Sequence, residues 1–104
     1  MDKERYKNHS EVCKVFSNPA RLEILDLLRG KGASVSELTR RTGLSQANVS
    51  QHLSIMKSKG IVSYRRKGKN IYYAISNPKV VKAFDLMREA LVENLGRRFM
   101  GMGG

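Results

Sequence analysis

The chain has 104 residues and a formal net charge of +11 at pH 7, and 40% of its residues are hydrophobic. We predict a single domain over residues 1–104, with frayed ends at 1–8 and 97–104. One cysteine excludes an intrachain disulfide and a cysteine cluster for zinc, and no apolar run approaches the roughly 18 residues that span a bilayer, so we expect a cytoplasmic protein with no membrane partner.

The first part of the chain is predicted to form two helices. Apolar positions between residues 9 and 16 indicate a short first helix. Asn18 and Pro19 then begin a second one, because Asn caps free N–H groups and Pro is tolerated at the first helical position. This second helix is predicted to stop near Gly30 and Gly32.

A helix-turn-helix follows. Ser34 and Glu37 have the S-x-x-E spacing of a capping box and begin a third helix that ends near Thr42. Gly43 supplies the left-handed residue that ends this helix, and Ser45 caps a fourth. Two helices joined by a short turn that contains glycine are the signature of this motif.

The fourth helix, over residues 45–57, has two unlike faces. Val49, Leu53 and Met56 recur at the spacing of a buried stripe. The other face carries only small or uncharged hydrogen-bonding side chains, which are Gln46, Ala47, Ser50, Gln51 and Ser54. Solvent-facing helices usually carry Glu, Lys and Arg, whereas amides and hydroxyls match the donors and acceptors of base edges. We therefore predict a recognition helix.

The second half is predicted to contain a wing and a last helix. Residues 61–64 and 71–75 are rich in β-branched and aromatic residues and indicate two strands. Residues 65–70 between them form a predicted tip with four cations and no acid, which suits a phosphate backbone. The last helix begins at Asn77 and Pro78 and carries more apolar surface than one small core can bury, so we expect a partner chain.

The positive charge is concentrated in one segment. Residues 38–84 contain ten Lys and Arg and no Asp or Glu, whereas the rest of the chain is nearly neutral. Positive charges gathered in one segment repel one another and destabilise the folded protein. Such a segment therefore indicates a polyanionic partner rather than a merely solvated surface.

These elements predict a mainly α fold with a small β-hairpin, a winged helix-turn-helix of about five helices and a two-stranded wing. Their sequence resembles the ArsR/SmtB-type transcriptional regulators over roughly residues 10–95. The matching segments are residues 16–25, 36–38, 43–53, 60–62 and 68–73. The resemblance implies a homodimer through the first and last helices. Such a dimer binds double-stranded DNA at a palindromic operator, most often as a repressor, and leaves it when an inducer binds.

Three groups of residues are expected to carry this function. Contacts to base edges are predicted for Gln46, Ala47, Ser50, Gln51 and His52. Contacts of the helices and wing to phosphates are predicted for Arg40, Arg41, Ser45, Lys57, Arg65, Arg66, Lys67 and Lys69. The dimer interface is predicted to contain Val12, Phe16, Phe84, Met87, Leu91 and Leu95.

The usual sensory sites of the family are missing. Its metal-sensing members carry a cysteine pair at the start of the third helix, where residues 33–36 contain none, and residues 78–100 contain no His. Carboxylates alone on the last helix would hold a transition metal poorly. We therefore predict no metal and no cofactor, and the inducer is unknown.

One pair of residues and one single residue have alternative interpretations. His9 and Cys13 lie four residues apart and could form a sensor, or they are a surface His near a small buried thiol. His52 is expected to contact DNA or brace its helix rather than bind metal.

The sequence offers no basis for an enzyme, because it lacks a nucleophile with its base and a Gly-rich phosphate loop after a strand. Two alternative functions are a winged helix that docks on an acidic protein surface and a nucleic-acid binder that is indifferent to sequence. Neither needs groups that match base edges, and so the uncharged face favours a sequence-specific regulator over both.

Overall fold

The computed structural model describes the backbone of residues 2–103 and the side chains of residues 2–96. Its helices are α1 (Lys3–Val15), α2 (Pro19–Leu27), α3 (Val35–Thr42), α4 (Gln46–Ser58) and α5 (Pro78–Gly103). Its strands are β1 (Ala33–Ser34), β2 (Val62–Lys67) and β3 (Asn70–Ile75). The predicted winged helix-turn-helix architecture is confirmed.

The first helix begins earlier in the chain than we predicted. The Asp2 carboxylate accepts a hydrogen bond from the backbone N–H of Arg5 at 2.9 Å and caps α1. The helix therefore begins at Lys3 rather than at residue 9. At the other end the backbone of α5 is helical through Gly103, and the fraying of residues 97–104 stays a prediction. Gly104 lies outside the described residues.

The predicted helix caps are confirmed. The side-chain oxygens of Asn18, Ser34 and Ser45 each accept hydrogen bonds from backbone N–H groups two or three residues ahead, at 2.9–3.2 Å. Gly43 has φ 75° and ends α3 in the left-handed conformation. Gly43 and Ser45 together form the turn from α3 into α4, and this turn places the face of α4 that we expect to meet DNA.

The sheet has three strands rather than the two that we predicted. Its order is β1-β3-β2, and all pairs are antiparallel. β1 pairs Ala33 with Tyr73 and brings the chain very close to β3. A Cβ atom at Gly32 would lie 2.8 Å from the Tyr73 carbonyl oxygen, and a side chain there would push β1 away.

The tip of the wing is shorter than predicted. Lys67 pairs directly with Asn70, and only Gly68 and Lys69 remain to form the turn. Gly68 has φ 65°, which a two-residue hairpin turn requires. Arg65, Arg66 and Lys67 therefore lie on β2 and not at the tip, because the pairing of β2 with β3 continues as far as Lys67 and Asn70.

The core lies where α2, α3 and α4 meet the sheet. The stripe predicted on α4 is confirmed, since Val49, Leu53 and Met56 are each 0% exposed. The other fully buried large side chains are Ile24, Leu28, Leu38, Ile61, Val15 and Val62. Because α4 contributes an entire face to this core, its opposite face is presented to solvent in a fixed orientation.

A charged cluster joins α2 to α5. The Arg29 guanidinium donates to both carboxylate oxygens of Asp85 and, from Nε, to Asp26 at 3.1 Å. Arg88 donates to the other oxygen of Asp26 at 2.8 Å. The hydrogen bonds from Arg29 hold the pKa of Asp85 below its usual range. Both guanidinium groups lie near the Phe84 ring, that of Arg88 at 4.4 Å and that of Arg29 at 5.8 Å from its centroid. The cluster therefore holds one side of α5 against the end of α2.

Candidate nucleic-acid interface

The exposed face of α4 is an uncharged surface on a rigid support. Gln46, Ala47, Ser50 and Gln51 are all exposed, and together they fill one side of the first two turns. The three buried residues of α4 lie on the opposite side. The amide and hydroxyl groups therefore project from the protein in the manner that reading a major groove requires.

His52 is turned away from this face. It is half-buried, and its Nδ1 accepts a hydrogen bond from Nε of Arg21, on the first turn of α2, at 3.3 Å. Burial lowers the pKa of His52 from its ordinary value, and the nearby charge of Arg21 lowers it further. Of the two roles expected for His52, the structure shows the contact that braces α4 against α2.

The lowered pKa gives this histidine a predictable effect on stability. The folded protein binds a proton at His52 less readily than the unfolded chain, whose pKa is near 6.5. The contribution of His52 to stability is therefore fully present above that pH and is lost as the pH falls towards the folded pKa. Urea unfolding of the wild type and of His52→Gln at pH 8 and 5.5 should show a smaller decline in the variant. An equal decline in both proteins would contradict this assignment.

Lys57 links α4 to the wing. Its Nζ lies 4.1 Å from the centroid of the Tyr64 ring, and that ring lies 5.9 Å from the ring of Tyr73. A cation over an aromatic face is attracted by the ring's negative potential. We predicted only a phosphate contact for Lys57, and its packing on β2 is an additional role that depends on the register of the wing.

The cations of the wing lie on two faces. Successive side chains of a strand point to opposite sides, so Arg66 shares the side of Tyr64, while Arg65 and Lys67 share the other. All are exposed, as is Lys69 in the turn, and none makes an ion pair with another described residue. The phosphate contacts predicted for the wing are thus sterically available on both sides of the ribbon.

Two further cations lie beside α4. Arg40 and Arg41 are exposed in the last turn of α3, next to the turn at Gly43. Neither pairs with an acid among the side chains that the structure describes. Ser45, also predicted to contact phosphate, lies where the turn enters α4, and its oxygen accepts the capping hydrogen bond.

An uncovered apolar surface runs along α5 and reaches α1. Met87, Leu91 and Leu95 are 58%, 62% and 53% exposed. The other predicted interface residues are Val12, which is exposed, and Phe16 and Phe84, which are half-buried. Three other large apolar residues are exposed and were not predicted as contacts, namely Tyr6, Leu86 and Val92.

The proposed sensor pair lies on the outer surface of α1. His9 and Cys13 are both exposed, so the thiol is not buried as the alternative interpretation had it. Among the residues that the structure describes, no three His, Cys, Asp or Glu side chains form a group that could hold a metal ion. None of the described helices is long and apolar enough to cross a membrane.

Sequence comparison places these features in a family. The profile of the family described as bacterial regulatory protein, arsR family, matches residues 18–64. An uncharacterized HTH-type transcriptional regulator of Mycobacterium tuberculosis, Rv0081, is 35% identical over 89% of this chain and 82% of its own length. The transcriptional repressor SdpR of Bacillus subtilis is 36% identical over 64% of this chain and 74% of its own.

Solved structures agree with the sequence comparison. The crystal structure of M. tuberculosis Rv0081 superimposes with a TM-score of 0.87 at 34% identity, covering 93% of this chain and 98% of that one. A domain of Mb0332 from Mycobacterium bovis gives a TM-score of 0.82 at 31% identity and covers 91% of each chain. That domain is described as a homodimeric winged helix-turn-helix DNA-binding domain of a possible ArsR-family regulator.

Proposed function

The chain belongs to the ArsR family of bacterial regulatory proteins and is a DNA-binding transcriptional regulator, and from this premise we propose that it is a homodimeric repressor of a palindromic operator. The family and the relatives are regulators rather than enzymes, as the sequence predicts. A repressor among the relatives and a homodimeric structural neighbour support the finer assignment. An operator sits on the chromosome, so we also propose a cytoplasmic location.

One observation carries the proposal of sequence-specific binding. A helix with a fully buried stripe presents an uncharged hydrogen-bonding face, and cations without acidic partners lie on both sides of it. A protein that gripped any polyanion would gain most from further Lys and Arg on this face. Amides and hydroxyls at Gln46, Ser50 and Gln51 add little non-specific affinity, but they can distinguish one base pair from another.

The proposed contacts divide the work between affinity and specificity. Gln46, Ala47, Ser50 and Gln51 would face base edges, while His52 braces the helix. The surrounding groups would hold phosphates, and they are Arg40, Arg41, Ser45, Lys57, Arg65, Arg66, Lys67 and Lys69. In a dimer, two copies of α4 would enter successive major grooves about one helical turn apart.

A pair of substitutions tests this division. Gln51→Ala should cost about 1–3 kcal/mol of binding free energy at one operator position and relax the base preference there. Lys67→Ala should weaken specific and random duplexes alike and make the salt slope shallower by about one unit. Titrations of operator and random duplexes at several salt concentrations measure both effects.

The same titrations test the alternatives. Equal affinity of the wild type for operator and random DNA would identify a binder indifferent to sequence, and no binding to either would remove the proposed function. If the two variants behaved identically on both duplexes, the division of contacts would be wrong. A promoter fusion that loses expression when the protein is present would support repression, and a gain of expression would contradict it.

A further inference from the structure

Arg21 and His52 form a polar contact between the first turn of α2 and the flank of α4. Nε of Arg21 donates to Nδ1 of His52 at 3.3 Å. A guanidinium has only donors and stays charged in proteins, so the imidazole nitrogen that receives this hydrogen bond must be unprotonated. The neutral ring of His52 therefore carries its proton on Nε2.

The free groups of this pair are all donors. Nε2 of His52 makes no hydrogen bond to any described residue, and it is not among the enclosed polar atoms that lack a partner. The two Nη groups of Arg21 likewise have no hydrogen-bonding or acidic partner in the described part of the chain. The pair thus offers several N–H groups to an outside acceptor and has no free acceptor of its own.

The position of the pair favours the backbone of DNA over its bases. On α4, His52 lies between the exposed face at Gln51 and the buried stripe at Leu53. A side chain on the flank of a recognition helix meets the wall of the groove, where phosphate oxygens lie. Phosphate oxygens accept hydrogen bonds and carry negative charge, which complements a charged, donor-only pair.

We propose that Arg21 holds His52 in the Nε2–H form, and that the two side chains together bind one phosphate of the DNA backbone beside the recognition helix. This inference rests on the proposed DNA-binding function. The sequence assigned no role to Arg21, because its role depends on the packing of α2 against α4. In this site Arg21 both contacts the phosphate and positions the imidazole.

The first test examines the tautomer in the free protein. His9 is the only other histidine, so a His9→Gln variant assigns the imidazole signals of His52 in ¹⁵N-correlated NMR spectra. At pH 8 we expect the Nε2–H form of His52, and in Arg21→Met a mixture of both neutral forms. A dominant Nδ1–H form in the otherwise unchanged protein, or identical ring signals with and without Arg21, would overturn the inference.

The second test replaces His52 with each of two amides. The amide of Gln reaches the position of Nε2, whereas the shorter amide of Asn reaches only that of Nδ1. His52→Gln places an N–H near the position of Nε2 and should keep the affinity for DNA within about threefold of the wild type. His52→Asn has no N–H at that position and should weaken DNA binding about tenfold. Each of His52→Asn and Arg21→Met should lose the same factor of affinity for the operator duplex as for a random duplex. Arg21→Met should also make the salt slope shallower by about one unit.

The outcomes separate this inference from the function on which it rests. Binding is compared only after thermal unfolding shows each variant to be folded at the assay temperature. Arg21→Gln, which also removes the positive charge, replaces Arg21→Met in the binding comparison if the latter is not folded. A loss of affinity confined to one operator position would mean that the pair contacts a base. Equal affinity of all folded variants would mean that the pair does not contact DNA. Either result overturns the inference. A wild type that binds no duplex would overturn the proposed function, while the NMR result would stand.

Discussion

Replacing Leu91 with lysine is expected to convert the protein to monomers and to weaken operator binding about a hundredfold or more. Leu91 is 62% exposed and lies in the middle of the uncovered apolar surface of α5. If a second chain covers this surface, the substitution buries an ammonium group without a partner, which an interface of this kind does not tolerate. The two recognition helices would then bind their half-sites independently and lose the gain from binding together.

Lysine is chosen because a new positive charge cannot weaken DNA binding by repulsion. The matched control is Glu89→Lys, which places the same side chain on the exposed acidic side of α5. Sedimentation equilibrium should show dimers for the wild type and Glu89→Lys and monomers for Leu91→Lys. A Leu91→Lys variant that remained dimeric would place the interface elsewhere on the molecule.

Truncation of Leu53 to alanine is expected to lower the free energy of unfolding by about 2–5 kcal/mol. Leu53 is 0% exposed at the centre of the stripe that joins α4 to the core. Its removal deletes apolar contacts and leaves a cavity that the surrounding helices cannot fully close. Since a domain of this size has about 5–15 kcal/mol of stability, the variant should still fold, but it should unfold at a lower temperature than the wild type.

Urea unfolding monitored by circular dichroism measures this effect. The control is the neighbouring Ser54→Ala, an exposed position where the change should stay within about 0.5 kcal/mol. Similar losses in the two variants would mean that α4 is not anchored through this stripe. The comparison is made at one protein concentration, because dimer formation adds to the measured stability.

The parts of the fold that could be predicted from sequence are those that local chemistry determines. Asn18, Ser34 and Ser45 are capping residues wherever a helix begins, and Gly43 can adopt φ 75° without strain. The 3.6-residue period of Val49, Leu53 and Met56 identified the buried side of α4. The exposed face of α4 followed from the same period, and so did the candidate base contacts.

The parts that could not be predicted depend on contacts between distant residues. β1 is only two residues long and exists because β3 offers it an edge, so its sequence carries no strand period. The assignment of Arg65 to the tip of the wing was wrong because the register of β2 and β3 decides where the turn begins. The contacts of Arg29 with Asp85 and of Arg21 with His52 join residues 56 and 31 positions apart.

The place of β2 in the sheet has a consequence for handling the protein. β2 is an edge strand, and beyond it the sheet has no further strand among the described residues. An open edge can add a strand from another molecule and start aggregation, and charged side chains are a common protection. Arg65, Arg66 and Lys67 supply that protection here. Neutralising all three at once should make the protein precipitate, and so the cations of the wing are best replaced singly.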